Sequence, residues 1–208
     1  MTPSATTKAE NPQVKSGDKR ERLVAAASEL FYRQGVERTT LADISAAAEV
    51  PLGNVYYYFK TKDDLIKAVV DSQVEEMREI MGSLERDRGP AARLQALTEF
   101  LTAQADGIAR YGCPNGTLCA ELHKRVDGTD PASGRLIQTT LTWAETQFRE
   151  MGRQDARDLA IEMISRYQGT AVLTQALGDP SLITKEAQRM ARWIDSIASS
   201  EAGSTAVD

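Results

Sequence analysis

The sequence predicts an all-α fold, on three observations. Apolar residues recur at helical spacing along nearly the whole chain between residues 18 and 198. Alternating strand patterns are absent, and β-branched residues do not cluster. Thr40 with Asp43, and Thr61 with Asp64, have the spacing of capping boxes, which start helices by satisfying their first amides. The 208 residues are 41% hydrophobic and 26% charged, a soluble globular profile. No apolar run approaches the roughly 20 residues of a membrane span.

The elements follow in order. Residues 1–17 and 199–208 are polar, small-residue tails and are expected to be unstructured. A first helix is expected from about Asp18 to Gln34, with Leu23, Ala27, Leu30 and Phe31 on one stripe and Gly35 to end it. "TTLADISAAAE" gives a short helix capped by Thr40, with Leu41, Ile44 and Ala48 facing inward. A turn at Val50–Pro51 leads into "LGNVYYYF", a helix too short to stand alone. A long helix then opens at Thr61. Its stripe runs through Leu65, Ile66, Val69, Val70, Met77, Ile80, Met81 and Leu84. Further helices are expected over 91–110, 114–126, 131–152, 156–177 and 185–197, for about nine in all.

Thr39 to Leu65 has the parts of a helix-turn-helix: a short amphipathic helix, a tight turn, and a second short helix. At about 100° per residue, Val55 and Phe59 share the inward side of the second helix. Gly53 and Tyr57, flanked by Asn54 and Tyr56, then share the outward side. That arc carries hydrogen-bonding tips, no acid, and a glycine that allows close backbone approach, which suits the major groove. Lys60 and Lys62 stand beside the next helix N-terminus, where amide, dipole and ammonium favour a phosphate. Charge agrees: residues 1–62 hold nine Lys/Arg against seven Asp/Glu, net +2, whereas the remainder holds 16 against 23, net −7.

These residues carry a resemblance. "TTLADISAAAEVPLGNVYYYFKTKDDLI" resembles the DNA-binding domain of the TetR family of bacterial transcriptional regulators. Thr39, Thr40, Asp43, Ile44, Ala48, Val50, Gly53, Tyr56, Phe59, Lys60, Lys62, Asp63, Asp64 and Leu65 stand in step with the family pattern. Leu52 and Glu49 depart from it, and bear on operator choice. The resemblance implies a homodimer on a palindromic operator, with recognition helices about one helical turn of DNA apart. It implies DNA contacts from Thr40, Gly53, Tyr56, Tyr57 and Lys62. Asn54 adds a base contact by its position. The domain plan is then a head over 18–64 and an effector-binding and dimerisation domain over 65–198. The last two long helices are expected at the dimer interface. A pocket for an unknown small-molecule effector is expected among the middle helices, lined by Phe100, Leu101, Gln104, Ile108, Leu118, Leu122, Trp143, Phe148 and Tyr167. At helical spacing the same residues also suit a plain core.

The stretch "YGCPNGTLCAELHKR" holds both cysteines and the single histidine. Cys119 and His123 share a helix face, but two ligands are too few for structural zinc. On one helix Cys113 and Cys119 are rotated about 240° apart, so neither a metal site nor a disulfide closes. Cys113 next to Pro114 falls at a helix start, where thiolate is favoured if the side chain is exposed. It reads either as a small apolar residue or as a redox-active thiol. The leading function is therefore an effector-released DNA-binding repressor, and the alternative is a cysteine-based redox or electrophile sensor on the same scaffold. An enzyme is not expected, since there is one His, no HExxH, no nucleophile elbow and no phosphate-cradling Gly loop. No cofactor, metal or membrane contact is expected. Two cysteines and the absence of a secretory h-region suit the cytoplasm.

Overall fold

The computed structural model of the protein describes residues 12–86, 88–125 and 134–202, with residues 12–17 and 200–202 as backbone only. Ten helices and no strand occur among the described residues: α1 Pro12–Gln34, α2 Leu41–Ala47, α3 Leu52–Tyr58, α4 Lys62–Leu84, α5 Pro90–Thr102, α6 Ala105–Tyr111, α7 Pro114–Arg125, α8 Arg135–Glu150, α9 Ala156–Leu177 and α10 Ser181–Ala202. The chain divides into two compact units, Met1–Val69 and Val70–Asp208, and the division falls inside α4.

In the first unit, Leu23, Val24, Ala27 and Phe31 of α1 are buried with Ile44, Val55, Phe59 and Leu65. Leu30 and Leu41, expected beside them, are half-buried. Gly35 adopts φ +86° just beyond α1, and its amide donates to the Phe31 carbonyl at 3.0 Å. That is the left-handed closure glycine makes at least cost. Two boundaries differ from expectation. α1 begins at Pro12, inside the expected tail, because proline at a first helical position loses no needed hydrogen bond. α10 runs on to Ala202, so residues 199–202 of the other expected tail are helical, and the Ser199 hydroxyl donates to the Asp195 carbonyl at 2.8 Å. Residues 1–11 and 203–208 lie outside the described residues, as does Pro131.

In the second unit, α9 packs against α6, α8 and α10, α5 against α8 and α10, and α7 against α8. The expected single helix over 91–110 is two, because the chain turns at Ala103–Gln104, where the Gln104 amide donates to Leu101 at 3.3 Å. Leu94, Leu97, Ile108, Ala144, Phe148, Met163 and Ile194 form the centre of the core. Phe148 meets Trp193 edge-on at 5.8 Å between ring centroids. The Arg166 guanidinium lies over the other ring of that pair, 5.3 Å from the Trp193 centroid, and donates to Glu186 at 2.8 Å. Ile194 is fully buried. Ile194→Val is therefore expected to lower stability by about 0.5–1.5 kcal/mol. Urea unfolding checks this, as a lower midpoint at an unchanged slope.

Candidate nucleic-acid interface

The interface is built from the turn outward. Thr40 caps α2: its hydroxyl accepts the Asp43 amide at 3.1 Å, and the Thr40 amide donates to the Asp43 carboxylate at 2.8 Å. The Thr40 hydroxyl also donates to the Asp43 carboxylate at 2.7 Å, and this bond first, then the one from the Thr40 amide, holds the Asp43 carboxyl below its ordinary range. A carboxyl lowered by folding stabilises above its unfolded pKa, and that contribution fades as pH falls through the folded value. Thr40→Ala is expected to cost about 1 kcal/mol of stability. It should also raise the Asp43 pKa toward that of a free aspartate, read by carboxyl-carbon NMR titration.

α2 and α3 are joined by a closed turn. The Val50 amide donates to the Ser45 carbonyl at 3.0 Å, and the Ser45 hydroxyl donates back to the Val50 carbonyl at 2.7 Å. Arg22 reaches over from α1. Its guanidinium donates to the carbonyls of Ala48 and Glu49, the latter at 3.1 Å. Glu49 itself sits at φ +51°, a left-handed conformation that costs a residue with a Cβ about 1–2 kcal/mol. Arg22 and Ser45 thus fix the angle at which α3 leaves α2. Neither stood out in the sequence, because their partners are backbone carbonyls that carry no sequence signal. Glu49→Gly is expected to raise stability by about 0.5–1 kcal/mol, since it relieves the strain and keeps both Arg22 contacts to backbone. The ion pair that it removes, 3.6 Å with Glu49 largely exposed, contributes little. A thermal melt would read the gain, and a lower melting temperature would count against the strain.

α3 presents the face read from sequence. Val55 and Phe59 are buried, and the Arg20 guanidinium covers the Phe59 ring at 5.3 Å. On the other side Tyr57 is 72% exposed and Tyr56 48%, among the most exposed large side chains of the unit. Gly53 is exposed, and a Cβ built there meets nothing within 4 Å. Asn54 is half-buried between the two sides. The Tyr58 ring stands edge-on to Tyr57 at 5.0 Å. Lys60 donates to the Tyr56 carbonyl at 3.1 Å, closing the end of α3. The second capping box is also present, with Thr61 and Asp64 exchanging bonds of 3.0 Å, and half-buried Lys62 is the first residue of α4. Thr40, Gly53, Asn54, Tyr56, Tyr57 and Lys62 all belong to the first unit. Leu52, 41% exposed, stands at the start of α3.

The residues expected to line an effector pocket divide. Leu101, Ile108, Leu118, Leu122, Phe148 and Tyr167 are buried in the packed interior, whereas Phe100, Gln104 and Trp143 are half-buried. Leu101 and Tyr167 border a hollow of about 10 Å³, room for about one water, which Thr98, Glu186 and Met190 also border. Trp143 borders a larger groove of about 430 Å³ with Arg78, Arg135, Gln138, Thr139 and Thr142.

The cysteine segment is packed, not open. Cys113 is 7% exposed, and its sulfur accepts the Gly116 amide at 3.4 Å and the Gln168 side-chain amide at 3.5 Å. Gly112, at φ +84°, lets the chain turn there: a Cβ would lie 2.6 Å from the Thr117 hydroxyl and 2.8 Å from Gln175. Burial pushes the Cys119 thiol up to about 11, and His123 is exposed. Among the described residues no three His, Cys, Asp or Glu side chains are grouped to hold a metal ion, and no helix is long and apolar enough to cross a membrane.

A capped helix, a closed turn and a recognition helix with an exposed Gly–Tyr face make the first unit a helix-turn-helix domain on an all-α scaffold. Residues 23–69 match the family model of bacterial regulatory proteins of the tetR family. Those residues therefore carry the DNA-binding domain of the TetR family. It is 29% identical to the transcriptional regulator LmrA of Bacillus subtilis over 144 residues, 68% of this chain and 77% of that one. It is 32% identical to a helix-turn-helix regulator from the lacX 3′ region of Lactococcus lactis, over 50% of this chain and 54% of that one. It is 45% identical to the regulator TtgR of Pseudomonas putida over 53 residues, 26% of this chain and 25% of that one. The chain thus spans about half or less of the length of these last two relatives. A TetR-family regulator from Agrobacterium tumefaciens shares the fold at a TM-score of 0.75 and 18% identity, covering 85% of this chain and 97% of that one. A TetR regulator from Legionella pneumophila does so at 0.73 and 16%, covering 91% and 98%.

Proposed function

We propose that the protein is a transcriptional repressor that reads a palindromic operator as a homodimer and leaves it when a small-molecule effector binds. The observation that carries the reading is the α3 face, where Gly53, Tyr56 and Tyr57 stand exposed above a buried Val55 and Phe59. Tyrosine hydroxyls and the Asn54 amide supply donors and acceptors for base edges and phosphates, and Gly53 admits the backbone close to the groove. Thr40 and Lys62, at the starts of α2 and α4, supply phosphate contacts on either side.

The second copy is supported by α9. Ile161, Val172, Leu173 and Leu177 are 44%, 65%, 56% and 70% exposed. Along the helix, Ile161, Ser165, Gly169, Val172 and Ala176 follow one stripe, in which the small residues permit a close helix approach. Apolar area of that kind on a water-exposed helix calls for a partner. The redox-sensing alternative loses its support, because Cys113 is buried and Cys119 is held as a thiol at neutral pH.

Selection of duplexes from a random pool by the purified full chain tests the reading. An enriched inverted repeat with half-sites about one helical turn apart is the expected outcome. A pool that shows no enriched sequence would reject a sequence-reading regulator.

A further inference from the structure

The groove between α4 and α8 is framed by two matching stripes. On α4, Asp71 and Arg78 lie seven residues apart, and Glu85 follows seven further on, just beyond the helix. Seven residues are nearly two turns, so Asp71 and Arg78 fall on one side of α4. On α8, Arg135, Thr139, Thr142 and Trp143 recur at i, i+4, i+7 and i+8, again one side. Polar latches join the stripes at both ends. Arg135 donates to Asp71 at 2.6 Å, and the Trp143 indole N–H donates to Glu85 at 2.7 Å. The space left between the latches is the groove of about 430 Å³, within the usual range for a small organic ligand.

Its lining has a definite chemistry. Arg78, Arg135, Gln138, Thr139, Thr142 and Trp143 supply two guanidinium groups, two hydroxyls, an amide and an indole, and no carboxylate. The nearby acids stand at the edges. Asp71 takes one terminal nitrogen of Arg135 and Glu75 one of Arg78, the latter at 3.3 Å. Each guanidinium has five N–H donors in a planar fork. Among the described residues, each fork therefore keeps donors directed to no other group. The indole is pinned at its N–H and packed on one side against the core, which fixes the ring and leaves the part that borders the groove for stacking.

We propose that this groove binds a planar aromatic carboxylate, with the carboxylate held by Arg78 and Arg135 and the ring lying against Trp143. The hydroxyls of Thr139 and Thr142 and the Gln138 amide take polar ring substituents. As a ligand site the groove depends on no claim about DNA. Its role as the effector site rests on the regulator reading above.

Calorimetric titration of the full chain with 2-naphthoate tests the site, with 2-naphthamide and cyclohexanecarboxylate as the neutral and non-aromatic arms. One naphthoate per chain is expected, with the other two at least about tenfold weaker. Arg78→Gln, an exposed change outside both latches, should weaken naphthoate at least about fivefold. Arg135→Lys keeps a cation for Asp71 but loses the fork, and should weaken it similarly. Both variants should melt cooperatively, near the wild-type temperature. No saturable naphthoate binding, equal binding of naphthoate and naphthamide, or wild-type affinity in both variants would overturn the site. The duplex selection is a separate measurement, so its failure would remove the regulator and leave the groove to be judged on calorimetry alone.

Discussion

Gly53→Glu is expected to abolish operator binding while leaving the fold intact. A side chain at Gly53 meets open space in the protein, so nothing in α3 has to move. Replacing glycine inside a helix by a residue of better propensity favours the helix by up to about 1 kcal/mol. In the proposed complex the same side chain would fill the gap through which the backbone approaches the groove. It also brings a carboxylate toward phosphates in a region whose outward arc has no acid. Like charges set against each other at an interface cost several kcal/mol, so specific affinity should fall by about 100-fold or more. Anisotropy of a labelled operator duplex reads the affinity, and circular dichroism reads the fold. A variant that melts like the wild type and still binds within threefold would remove α3 from the interface.

Val172→Glu is expected to separate the two copies. Val172 is 65% exposed in the single chain, so the change should leave the isolated fold almost untouched. In a dimer closed over the α9 stripe, the new carboxylate would be buried among Ile161, Leu173 and Leu177 of the two copies without a partner. An unpaired buried charge is among the most costly substitutions at an interface, and two-fold symmetry introduces it twice. Self-association should weaken by about 100-fold or more. Sedimentation velocity across a concentration series reads this directly. A variant with wild-type mass at every concentration would place the interface elsewhere.

Much of the head is legible in the sequence, because its signals are local. The Thr40–Asp43 and Thr61–Asp64 boxes are formed by residues three apart, and the sequence spacing is the geometry. The division of α3 into a buried Val55–Phe59 side and an exposed Gly53–Tyr57 side follows from helical period alone. The clamp on the turn was not legible. Arg22 lies 26 residues from Ala48 and addresses its backbone, so neither spacing nor side-chain type announces it.

In the body the limits are physical as well. Period identifies which residues turn inward, but not whether the interior they share is filled. Ile108, Leu122 and Phe148 were equally good as pocket wall and as core, and they lie in the packed interior. The open groove instead lies between charged and hydroxyl side chains on α4 and α8, which in sequence look like ordinary solvated faces. The pairing that frames it, Asp71 with Arg135 and Glu85 with Trp143, spans 64 and 58 residues. Cys113 shows the same limit: its helix-start position was readable, but its burial against Gln168, 55 residues away, was not.

The most direct test of the central claim is a titration of a selected palindromic duplex with the purified chain at several salt concentrations, beside a duplex that holds one half-site. The account predicts saturation at an even number of chains per palindrome, much weaker binding to the single half-site, and an affinity that falls steeply and log-linearly with salt, as counterions released from several phosphates require. One chain per palindrome, equal affinity for whole and half sites, or an affinity indifferent to salt would contradict it.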